Sequence, residues 1–131
     1  MFPTKKPRAL IIDDDAGCRS VLSRRLKNKG MVVDEAGDGE QGERSLLSKV
    51  YDVILLDIVM PILDGPSMLR EAVVKGYKGK APIVVMTNLP DFDRRIADAK
   101  NLGVVKVVVK SEISLTVLAD DVLAMVGTGK A

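Results

Sequence analysis

Short apolar runs alternate along this chain with longer stretches in which apolar residues recur every three to four positions. The runs Ala9-Leu10-Ile11-Ile12, Val53-Ile54-Leu55-Leu56 and Ile83-Val84-Val85-Met86 are continuous rather than alternating, as in parallel strands covered on both faces, and Val104 to Val109 reads as a further strand. Met31 to Glu35 is a weaker strand, and its Asp34 and Glu35 suit a sheet edge. Between the runs, Ala16 to Lys29 carries Val21, Leu22 and Leu26 at helical spacing, with Gly30 behind it as a terminator. Gly39 to Ser48 reads as a second helix with a glycine-rich start. A third begins near Pro66, a residue suited to a first helical turn, and closes at Gly76 and Gly79. Asp91 to Leu102, stopped by Gly103, reads as a fourth, and Ser114 caps a fifth that carries Leu115, Leu118, Val122 and Met125. Five strand–helix units in succession predict an α/β fold with a parallel sheet.

The polar residues that end the runs carry the chemistry. Asp13, Asp14 and Asp15 follow the first strand, Asp57 closes the next apolar run, Thr87 ends the fourth strand and Lys110 the fifth. Open parallel sheets hold ligands at the carboxyl ends of their strands, so these side chains converge on one sheet edge. Gathered carboxylates resist ionising together unless a hard cation with oxygen ligands joins them, which points to Mg²⁺ beside a reactive aspartate. A carboxylate needs no base to attack phosphorus, because it is already ionised at neutral pH. A metal ion and a lysine can neutralise charge on a transferring group, and a threonine hydroxyl can donate to a phosphoryl oxygen. Asp15 and Asp64 suit caps or loops better than metal ligation.

Composition narrows the possibilities further. The chain has 131 residues, enough for one domain, with 47% hydrophobic but only 3% aromatic residues, so its core is aliphatic. It contains no histidine, which excludes Ser-His-Asp catalysis and His-ligated zinc. Cys18 is the single cysteine: no internal disulfide is possible, and a helix-face role fits it better than that of a nucleophile without a base. Net charge is +2, too balanced to imply nucleic-acid binding. Lys5-Lys6-Pro7-Arg8 forms a small basic arm, and the tail Gly127-Thr128-Gly129-Lys130-Ala131 is expected to fray. No apolar run approaches the roughly 18 residues of a membrane span and no signal peptide opens the chain, so a soluble, cytoplasmic protein is expected.

One motif competes. Gly37-Asp38-Gly39-Glu40-Gln41-Gly42 satisfies the glycine pattern of dinucleotide-binding loops, following a strand and opening a helix. However, Asp38 and Glu40 lie inside the loop that would cradle a pyrophosphate, and Asp34 and Glu35 precede it. Their charge opposes the attraction of the helix N-terminus for an anion.

Taken together, the Asp13-Asp14 pair, Asp57 followed by Met60-Pro61 and Asp64-Gly65, Thr87 and Lys110 resemble the receiver domain of bacterial two-component response regulators, over Arg8 to Val126. Glu35 to Glu40 and Leu102-Gly103 support the likeness. The resemblance implies a five-stranded parallel sheet of order 2-1-3-4-5 with helices on both faces, a flavodoxin-like fold. It implies phosphorylation of Asp57 by a histidine kinase or histidine phosphotransfer protein, and onward signalling by contact with a downstream protein. Mg²⁺ would be bound directly by Asp14 and Asp57, through water by Asp13, and by the backbone carbonyl of Val59. On this reading residues 1–131 are a single stand-alone receiver with a core of about 8–126, a regulator rather than an enzyme, touching neither nucleic acid nor membrane. Five positions depart from the family pattern or its common choices. Ser111 stands where proline usually follows the lysine, Asn88 where a small residue follows the threonine, and Val107 where many members carry a switching aromatic. Val59 and Leu89, flanking the site, are both apolar. A receiver kept only as a docking scaffold is the third possibility beside phosphoacceptor and dinucleotide binder.

Overall fold

Ten elements alternate along the chain: β1 (Arg8–Ile12), α1 (Ala16–Asn28), β2 (Val32–Ala36), α2 (Gly39–Ser48), β3 (Val53–Asp57), α3 (Gly65–Val74), β4 (Ile83–Thr87), α4 (Arg94–Lys100), β5 (Val104–Val109) and α5 (Leu115–Val126). The computed structural model describes residues 6–126. Lys5 of the basic arm and the tail from residue 127 onward therefore lie outside the described residues. The strands form one parallel sheet in the order β2-β1-β3-β4-β5, as the family likeness implies, with β2 at the edge that its acidic residues suggested.

Side chains of a strand alternate between its faces, and this splits each apolar run into two cores. Ala9, Ile11, Val53, Leu55, Val84 and Met86 pack on one face with Leu22 and Leu26 of α1 and Leu118 and Val122 of α5. Leu10, Ile12, Ile54 and Leu56 pack on the other with Leu46 of α2 and Met68 and Leu69 of α3. Val85 meets Ile96 and Ala99 of α4 on that second side. Every residue of β3 and β4 is buried, which is why those runs are unbroken in sequence. Removing each such aliphatic side chain from water contributes roughly 2 kcal/mol.

Aspartates start four of the helices. Asp15, Asp38, Asp64 and Asp93 are the N-caps of α1, α2, α3 and α4, each accepting a backbone N–H from within the first turn. Ser114 caps α5 through a 3.0 Å bond from the Val117 N–H. The fourth helix is shorter than predicted. Residues 91–92 form a turn, the Asp93 N–H bonds the Pro90 carbonyl at 2.9 Å, and Asp93 rather than Asp91 carries the cap. A cap needs its carboxylate beneath a free N–H, and the turn brings only Asp93 to that point, under the N–H of Arg95.

Candidate functional site

The register of the sheet assembles the site. β1 lies between β2 and β3, so Asp13 and Asp14, just past β1, stand beside Asp57 at the end of β3. Carboxylate oxygens of Asp13, Asp14 and Asp57 all lie within 4.8 Å of one another. Asp13 and Asp57 are buried and Asp14 is exposed, so the cluster opens to solvent on one side. Thr87 ends β4 and is buried; Lys110 follows β5 and reaches across the sheet edge. Its Nζ donates to Asp13 Oδ2 at 2.9 Å and lies 3.7 Å from Asp57 Oδ2.

These charges act on one another. Burial pushes the Asp57 carboxyl above its ordinary range, to about 7; Lys110 and a long 3.4 Å bond from the Val59 N–H pull it down, and Asp13 and Asp14 push it up. Burial alone would lower the Lys110 ammonium, but its bond to Asp13 and the charges of Asp57 and Asp13 outweigh that and hold it above the ordinary lysine value. One ammonium among three carboxylates leaves the cluster short of positive charge. Oxygen donors with one side open to water fit a hard divalent cation such as Mg²⁺, which keeps several waters of its own. Val59, next to Asp57's flank, is 47% exposed.

The loops that present these groups are internally tied. Asp13 Oδ1 accepts the Asp15 N–H at 2.9 Å, and its carbonyl accepts from the guanidinium of Arg19 at 2.6 Å. Arg19 also pairs with Glu35 at 3.2 Å. Reading the sequence did not single out Arg19; only its place at the end of the first turn of α1, four residues past the Asp15 cap, hinted at contact with the acidic loop. Thr87 Oγ1 accepts the Leu89 N–H at 3.0 Å, leaving its hydroxyl proton to point elsewhere. The carboxamide oxygen of Asn88 accepts the Ser111 N–H at 2.8 Å, so that oxygen is already engaged. Val107 is half-buried beside the core that holds α4. Cys18 is buried, and burial together with Asp13 raises its thiol to about 12, which makes it inert as a nucleophile.

The glycines of the competing motif serve packing. A Cβ on Gly39 would come within 2.3 Å of the Leu63 carbonyl oxygen, and one on Gly42 within 2.9 Å of the Ile12 side chain. Glycine there lets α2 seat against the loop before α3 and against β1. Asp38, just before Gly39, commits its carboxylate to the N–H of Gln41 as the α2 cap.

A family model for the response regulator receiver domain matches residues 9–122. Among curated proteins, the chain is 34% identical over 117 residues to a gliding motility regulatory protein of Myxococcus xanthus, covering 88% of this chain and 15% of that one. It is 37% identical over 105 residues to a probable transcriptional regulator, ycf27, of Guillardia theta, covering 80% and 40%. The chain thus spans well under half the length of these relatives. Among solved structures, a two-component response regulator from Clostridium difficile superposes with a TM-score of 0.80 at 28% identity, over 96% of this chain and 100% of that one.

Proposed function

This chain belongs to the response regulator receiver domain family, which makes it a phosphoacceptor signalling domain of the two-component kind, and from that premise we propose that Asp57 is the residue that takes the phosphoryl group. The observation that carries this is the buried carboxylate at the end of β3, with Asp13, Asp14 and the ammonium of Lys110 gathered around it.

The reaction forms an O–P bond at a carboxylate oxygen of Asp57 and breaks the N–P bond of a phosphohistidine, whose imidazole leaves with the electron pair and takes a proton from solvent. Asp57 must be ionised to attack, and Lys110 at 3.7 Å favours the ionised form. The same ammonium balances charge on the phosphoryl oxygens as they arrive. Thr87 keeps its oxygen fixed by the Leu89 N–H, so its O–H is free to donate to a phosphoryl oxygen. Asp13, Asp14 and Asp57, with the Val59 carbonyl, would hold Mg²⁺, which supplies further charge neutralisation at the transferring group.

The phosphodonor is a histidine kinase or histidine phosphotransfer protein, and the phosphorylated domain signals by contact with a downstream protein rather than with nucleic acid or membrane. Among the described residues no helix is long and apolar enough to cross a membrane, in keeping with a cytoplasmic receiver whose single folded unit spans about 8–126. The test is intact-mass measurement after incubation with acetyl phosphate and Mg²⁺. One added phosphoryl group is expected, lost with chelator and in Asp57→Asn. Equal labelling of Asp57→Asn would overturn the assignment, and no labelling of the wild type would leave only a docking scaffold.

A further inference from the structure

β4 and β5 stay joined beyond their last ladder bond. The Lys110 N–H donates to the Thr87 carbonyl at 2.9 Å, and the Glu112 N–H closes a turn on the Val109 carbonyl at 3.0 Å. Lys110 and Ser111 are the two central residues of that turn. The Ser111 N–H points out of it and is taken by the carboxamide oxygen of Asn88 at 2.8 Å. The pairing needs an N–H at 111, which every residue except proline supplies, and a short side chain with a carbonyl at 88. Asn88 is thereby the side-chain rung that ties the loop after Thr87 to the loop that begins with Lys110.

The placement matters because Lys110 is shared. Its ammonium is closer to Asp13, at 2.9 Å, than to Asp57, at 3.7 Å, and Asp13 has no exposed surface. A turn free to relax would let the lysine settle on Asp13 and withdraw from the acceptor. We propose that Asn88 is a positioning residue for phosphoryl uptake: by holding the Ser111 N–H it fixes the Val109–Glu112 turn and keeps the Lys110 ammonium within reach of Asp57. This rests on Asp57 being the acceptor. The described hydrogen bond of the Asn88 carboxamide is to Ser111 and not to Asp57. A single hydrogen bond at the surface adds little to global stability, so its loss shows in geometry rather than in melting.

The experiment follows uptake from acetyl phosphate, in Mg²⁺, against donor concentration in the full chain. It compares the wild type, Asn88→Ala, Ser111→Pro and the double variant. Asn88→Ala and Ser111→Pro each lower the maximal rate about three- to ten-fold, the scale of a modest misplacement of a charge-stabilising group. The half-saturating donor concentration, Mg²⁺ affinity and melting temperature stay at wild-type values, and the double variant is no slower than the slower single one. A wild-type rate in Asn88→Ala overturns the proposal. So does an Asn88→Ala loss that persists in full when Ser111 is already proline, because Asn88 would then act on the donor or on water directly. A second arm needs no phosphorylation and no proline variant. By NMR, the Ser111 amide is protected from exchange in the wild type and in Asn88→Asp, which keeps an acceptor oxygen, and loses protection in Asn88→Ala. The Lys110 ε-methylene signals shift with that loss. Unmoved Lys110 signals overturn the proposal whether or not the wild type is phosphorylated, whereas a wild type that takes no phosphoryl group overturns the assignment of Asp57.

Discussion

Lys110 and Asp13 form a 2.9 Å ion pair in which the carboxylate is fully buried and the lysine side chain is 20% exposed. The pair closes the sheet edge between β1 and β5, two strands that are not neighbours. Removing one member of a buried pair leaves the other charged and uncompensated, which costs more than the pair itself contributes. Lys110→Met is expected to destabilise the metal-free protein by about 1–3 kcal/mol in urea unfolding at neutral pH, the lower part of the range reflecting the partial exposure of the lysine. A loss that shrinks when Asp13→Asn is added would identify the stranded Asp13 as its source; a variant as stable as wild type contradicts it.

Stability should depend on pH through Asp57. Its folded value lies at about 7, raised by burial above an unfolded value of about 3.9. Between those values the folded state binds the proton more tightly than the unfolded one, so this contribution is present in full below the unfolded value and is lost as pH rises through the folded value. Metal-free wild type therefore loses stability from Asp57 between about pH 4 and pH 7, by a few kcal/mol at most. Asp57→Asn removes that slope. Urea melts at pH 5 and pH 8 in chelator measure it, and a slope unchanged in Asp57→Asn would show that other groups set it.

The aspartyl phosphate is expected to be long-lived. Its hydrolysis needs a water held in line behind phosphorus, and positioning is a large part of phosphoryl-transfer catalysis. Val59 and Leu89 have no side-chain donor or acceptor for such a water, and the Asn88 carboxamide oxygen is engaged by Ser111. After donor removal, Val59→Asn with Leu89→Glu should lose its phosphoryl group faster than wild type. Equal decay would mean that the apolar flanks do not set the lifetime.

Ile62 carries backbone strain. Its φ is +74°, the one positive value at a non-glycine among the described residues, and a 2.8 Å bond from the Leu63 N–H to the Pro61 carbonyl closes a tight three-residue turn around it. A β-branched residue pays heavily at positive φ, whereas glycine has no Cβ to clash there. The side chain is 73% exposed, so little packing is lost on replacement. Ile62→Gly should raise stability by up to about 1 kcal/mol, strain relief outweighing the extra chain entropy of glycine, read as an upward shift of the urea midpoint. A downward shift would show that the isoleucine makes a contribution its exposure conceals.

β1, β3 and β4 were legible because burial on both faces leaves an unbroken apolar run, and the strand-end rule then put Asp13, Asp57, Thr87 and Lys110 on one edge. Where a helix starts was less legible. Asp91 and Asp93 both have cap chemistry, and only the turn at Pro90 decides between them. β2 lies one residue later than its pattern suggested, Val32–Ala36, since an edge strand has a weaker alternation to anchor it. The reason for Gly39 and Gly42 is a close approach of backbones from distant parts of the chain, which no local pattern records. The same holds for the tie between Asn88 and Ser111, 23 residues apart; both stand out against the family pattern, but nothing in the sequence says that they meet.

The Lys110–Asp13 contact also spans 97 positions of sequence, and it sets when during synthesis the charge of the acidic cluster can be balanced. During synthesis the N-terminal part of a chain is available to fold first. β1, β3 and their carboxylates can pair before β5 exists, but at that stage the acidic cluster has no ammonium to balance it. A nascent or C-terminally clipped chain that ends before Lys110 carries Asp57 without the ammonium that favours its ionised form. The last strand–helix unit therefore completes the site: under the proposed function, only a chain that includes Lys110 is expected to take up a phosphoryl group at full rate.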